Sequence, residues 1–135
     1  MANECSLYYK RVFQALEVGD GKEAERIFWA GILTGICEQV MMRVKPAGMV
    51  TAQTEKAEQI AAIVCDVYQL HCMRLDKPTG GYEIWVCRLD DEETTAALAQ
   101  LKTGRLDWGQ YHALRGRLCG YPEEAIRHYT DGVWP

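Results

Sequence analysis

The stretch that decides the fold is QLHCMRL-DKPTGG-YEIWVCRL, residues 69–89. Its two outer segments are rich in residues that favour extended backbone, and they flank a Pro- and Gly-bearing connection. That pattern predicts a β-hairpin. Loop length sets the register, and two lengths fit. A four-residue loop places Lys77 opposite Tyr82 and Cys72 opposite Cys87, whereas a five-residue loop places His71 opposite Cys87. A slip of one residue exchanges every facing pair. Both faces carry apolar side chains, so both must be covered, by helices of the chain or by another chain. Two strands alone are marginal in water. Either a third strand, sought near residues 40–45, or tight packing against helices completes the unit.

Outward from the hairpin the period changes to 3.6. Residues 3–18 and the segment from Asp20 to Val40 read as helices, the second with Asp20 and Glu23 in capping-box positions. Gly31 and Gly35, one turn apart, suggest a close approach of another element. The run VMMRV reads either as the end of that helix or as a short strand, and RVKPAGMVT breaks the pattern at Pro46 and Gly48. A third helix is expected over about 51–68. After the hairpin, Asp90 with Glu93 and Asp107 with Gln110 open two further helices, ended by Gly104 and Gly120. Pro122 opens a short last one. The fold class is therefore α+β: a single domain spanning 1–135, a small antiparallel sheet centred on 69–89 against several helices, and a C-terminal helix-turn-helix corner.

The segment RGRLCGYPEEAIRHY, 115–129, admits three functions. As a Cys-His pair it fails within one helix, because His112 and Cys119 are two turns, roughly 10 Å, apart. As a DNA-reading unit its recognition helix would begin with Glu123 and Glu124, which phosphates repel. The third reading is a structural corner, with Gly120 supplying the positive φ, Tyr121 packing back on Leu118 and Pro122 starting the next helix. This is the expectation adopted.

The remaining chemistry is sparse. No phosphate-loop, dinucleotide or zinc-protease spacing occurs, and His71, Cys72 and Cys87 cannot all converge from one hairpin. Six cysteines without C-x-x-C spacing read as free core thiols. The net charge of −4 argues against a nucleic-acid binder. No apolar run is long enough to span a membrane, and the N-terminus lacks a secretory pattern. These features predict a cytoplasmic, non-enzymatic protein with no cofactor or metal. It would act by binding a protein, as a regulator, adaptor or inhibitor, and could form a homodimer through the hairpin. Arg74, Trp85, Arg88, Leu89, Arg115 and Arg117 are the interface candidates, from the enrichment of aromatic and arginine side chains at interfaces. The competing classes are a small-ligand or nucleotide binder, with a pocket near Gly31 and Gly35, and an enzyme whose constellation carries no familiar spacing.

Overall fold

The structure, a computed structural model, describes residues 11–12 and 23–131. The expected first helix and the Asp20 cap fall outside the described residues, apart from Arg11 and Val12, which are helical; Val12 is fully buried. In chain order the described elements are α1 (Glu23–Met41), β1 (Ala47–Ala52), α2 (Glu55–Tyr68), β2 (Leu70–Asp76), β3 (Tyr82–Arg88), α3 (Glu92–Thr103), α4 (Trp108–Leu118) and α5 (Glu123–Thr130). The three strands form an antiparallel sheet in the order β1-β3-β2.

The hairpin has the longer of the two loops. Asp76 pairs with Tyr82, so His71 faces Cys87 and Cys72 faces Val86. Gly80 and Gly81 both take positive φ, a conformation that side-chain-bearing residues rarely adopt, and the Lys77 amide closes the loop on the Gly81 carbonyl.

A third strand exists, but at Ala47–Ala52 and not near residues 40–45. The earlier stretch is consumed in stopping α1. Arg43 takes the left-handed conformation, its amide reaches the Val40 carbonyl, and the Val44 amide reaches that of Gln39. Pro46 then directs the chain into β1. Gly48 lies inside that strand because helix α1 presses on it: a Cβ there would sit 2.2 Å from Cγ2 of Ile36. The glycine that reads as a breaker is a packing requirement.

β3 is the central strand, and Tyr82 through Cys87 are buried on both faces. On one face Tyr82, Ile84 and Val86 join Leu33 and Cys37 of α1 and Ile60, Ala61 and Val64 of α2. On the other, Trp85 and Cys87 join Leu98 and Leu101 of α3 and Leu118 of α4, with Met49 and Met73 on either side of Trp85. The chain's own helices therefore cover both faces of the sheet. Gly31 and Gly35 are both exposed, and among the described residues no atom lies within 4 Å of a Cβ built on either.

Polar contacts fix the helix ends. The Tyr82 hydroxyl is inserted in the first turn of α2, accepting from the Glu58 amide and donating to the Thr54 carbonyl. It does what the Thr54 side chain does not, since that residue makes no cap hydrogen bond. Arg88 donates to the Val40 carbonyl at 2.9 Å and places a cation at the end of α1, which has no basic residue in its last turn. The cap of α3 is Asp91, one residue later than expected. Its carboxylate accepts the Thr94 amide and hydroxyl and pairs with Arg88 at 3.3 Å. Asp107 and Gln110 form the expected capping box on α4. Among the described residues no helix is long and apolar enough to cross a membrane.

Candidate functional site

The C-terminal corner has the expected glycine. Gly120 has φ +83°, the Tyr121 amide bonds the Gly116 carbonyl, and the Gly120 amide bonds that of Arg117. Helices α4 and α5 cross at Gly116, where a Cβ would lie 2.8 Å from Cγ1 of Ile126. Ile126 is buried, but Tyr121 is 64% exposed and does not fold into the core over Leu118.

α4 is tied to the sheet by a buried ion pair. Glu83 of β3, in the row between Thr51 and Leu75, carries a side chain only 5% exposed. Arg115 grips it with both terminal nitrogens, the second at 2.8 Å, and Trp85 donates its indole N–H to the same carboxylate at 3.1 Å. The Arg115 guanidinium also lies 5.3 Å from the Trp85 ring centre and donates to the Tyr111 hydroxyl. Burial works against the Glu83 charge, but the hydrogen bonds from Arg115 and Trp85 outweigh it and hold the carboxyl below its ordinary range.

Anchored so, α4 presents an aromatic face away from the sheet. Trp108 stacks on Tyr129 of α5 at 5.6 Å, and His112 lies against both rings, 4.6 Å from Trp108 and 5.5 Å from Tyr129. Trp108 is 57% exposed and Tyr129 45%. Beside this cluster a cleft of about 390 Å³ opens, lined by Met49, His112, Cys119, Tyr121, Ile126 and Tyr129 among others, with Arg115 in its wall. Burial, reinforced by the charge of Arg115, pushes the His112 pKa down, so the imidazole is neutral in this cleft near pH 7. Burial pushes the Cys119 thiol up, which keeps it protonated and a poor nucleophile. His112 and Cys119 share the cleft, but its chemistry is apolar contact and neutral hydrogen bonding.

The six interface candidates are scattered. Trp85 is fully buried within the chain and offers a partner no surface. Arg115 is spent on Glu83. Arg88 braces α1 and α3. Arg74 lies over the Tyr82 ring and pairs with Glu55, Glu58 and Asp76. Arg117 pairs with Glu123 at the surface, and Leu89 is exposed. The four arginines among the candidates thus each form an ion pair within the chain, with Arg88 and Arg115 largely buried, Arg74 partly exposed and Arg117 at the surface. The residues sequence reasoning missed are Tyr129 as a surface group and Met49 as a cleft wall. Trp108 and His112, four apart and so on one helical face, carried the available signal.

His71 and Cys87 face one side of the sheet and Cys72 the other, and no group of three or more His, Cys, Asp or Glu among the described residues is arranged to hold a metal. The five described cysteines are free thiols. No protein-family model, no curated protein and no solved structure matches the chain.

Proposed function

We propose that the protein is a protein-binding module whose partner docks on the aromatic face of the α4–α5 corner. The observation that carries this reading is the stacked pair Trp108 and Tyr129, roughly half exposed, beside an apolar cleft. Large aromatic side chains that stay in water have lost the benefit of burial, and a partner's apolar side chain in the cleft would restore it. Aromatic residues next to a pocket are also the usual anchors of interfaces.

The test uses three baits in crosslinked capture from native cells: wild type, Trp108→Ala/Tyr129→Ala, and Ile27→Ala/Phe28→Ala. The last pair is also exposed but lies on α1, against the other face of the sheet. A protein held by wild type and by the α1 control but lost from the corner variant supports the reading, provided the corner variant melts like wild type. Retention of every captured protein by the corner variant overturns it.

The cleft volume favours a second reading, a small apolar ligand, because about 390 Å³ lies in the range of ligand pockets, roughly 300–1,000 Å³. A melting-temperature rise with a member of a metabolite and nucleotide panel, abolished in the corner variant, would select it.

A further inference from the structure

A second cleft, of about 380 Å³, opens where the segment between α1 and β1 meets the first turn of α3 and the last turn of α4. Its charged lining is Arg43, Lys45, Arg88 and Arg117 against Asp91 and Glu93. Cations thus outnumber carboxylates there, in a chain whose net charge is −4. The six are not equivalent. Asp91 is taken: it accepts the Thr94 amide and hydroxyl and pairs with Arg88. Arg88 also donates to the Val40 carbonyl, so the end of α1 already has its cation. Arg117 is bound to Glu123, which does not line the cleft. Arg43 and Lys45 remain. Among the described residues neither side chain forms an ion pair or a hydrogen bond. Their charge is felt in the wall all the same: the Thr94 hydrogen bonds hold the Asp91 carboxyl below its ordinary range, and the charges of Arg88 and Arg43 add to this.

We propose that this cleft binds the phosphate group of a small molecule, held by Arg43 and Lys45, with the largely buried Arg88 as a fixed charge in the wall. The ligand is an anion because cations gathered at one cleft repel each other until an anion lies among them. The group is a phosphate because a monoester carries close to two charges at neutral pH, and its oxygens can accept from a guanidinium fork and an ammonium at once. Glu93 opposes it, but from an exposed position where water and salt screen its charge. The rest of the ligand is small because the cleft volume is that of a ligand pocket, roughly 300–1,000 Å³, and the acidic chain does not suit a nucleic-acid strand. This proposal is independent of what the α4–α5 corner binds.

An amide NMR titration of the full chain with inorganic phosphate and with glycerol phosphate tests it, at neutral pH and constant ionic strength, with succinate as the carboxylate control. Wild type should bind both phosphate probes, with the largest shifts at residues 43–45 and 91–94, and should bind succinate more weakly. Arg43→Gly suits the backbone, since Arg43 has φ +59°, and Lys45→Gln keeps the Cβ that lies beside Gly120. Each should weaken phosphate binding at least about tenfold, a change of about 1.4 kcal/mol, while the melting temperature without phosphate does not fall. Trp108→Ala/Tyr129→Ala should bind phosphate as wild type does. A wild-type chain that does not respond to phosphate overturns the proposal, and so does binding that either cleft variant retains in full. Succinate binding as tight as phosphate binding overturns the choice of phosphate.

Discussion

The face of β3 that carries Tyr82, Ile84 and Val86 meets α1 and α2 through mostly apolar side chains, with the Tyr82 and Tyr68 hydroxyls hydrogen-bonded to the helices. The opposite face, with Glu83, Trp85 and Cys87, meets α4 through a buried carboxylate and its arginine. Each face also has one glycine that sets a close approach, Gly48 for α1 on β1 and Gly116 for α5 on α4. The difference has a physical consequence. Apolar contact is non-directional and tolerates rotation of a helix, whereas a two-pronged Arg–carboxylate contact fixes one orientation. α4 is held by such a contact, and it is α4 that keeps Trp108 and His112 out of the core and beside the cleft.

The largest expected effect lies at the junction of the two kinds of packing. Trp85→Ala removes a fully buried indole and one of the donors to Glu83, and should cost about 3–5 kcal/mol in chemical unfolding. A near-neutral result would mean that α4 does not close over the sheet. Gly48→Ala probes the apolar face. Its new methyl meets Ile36, a β-branched side chain stiff about its first torsion, and a loss of about 1–3 kcal/mol is expected. Unchanged stability would show that α1 stands farther from β1. At the β2 edge, Arg74→Gln should change stability by less than about 1 kcal/mol, because its partners are largely exposed. A loss as large as that of Trp85→Ala would place Arg74 among the determinants of the fold.

These contrasts also show what the sequence made legible. The hairpin, the Asp107–Gln110 box, and the glycines that end α3 and α4 were readable because local chemistry specifies them. Register was not, because loop length hinges on whether Lys77 belongs to the strand or the turn, and Gly80 and Gly81 permit either. β1 was hidden because Pro46 and Gly48 are breakers on local grounds, while the reason for Gly48 is the non-local approach of Ile36. The candidate site was obscured in the same way. Trp108 belongs to an apolar stripe with Tyr111, Leu114 and Leu118, yet at the first turn of α4 it stays more than half exposed, stacked on Tyr129, which arrives from α5. Glu83 sits within a strand of buried residues, and nothing near it in sequence announces Arg115, 32 residues on.

The claim that a buried ion pair orients α4, and with it the aromatic corner, is tested most directly by a double-mutant cycle. Glu83→Gln, Arg115→Met and the double variant are compared by chemical unfolding at neutral pH. Each single change strands a partner in a poorly solvated site and should cost about 3–5 kcal/mol. The double variant should cost less than the sum, leaving a coupling of about 2–3 kcal/mol. Small, additive losses of less than about 1 kcal/mol each would contradict the account, since the pair would then be a solvent-screened bridge and α4 would be held by apolar packing alone.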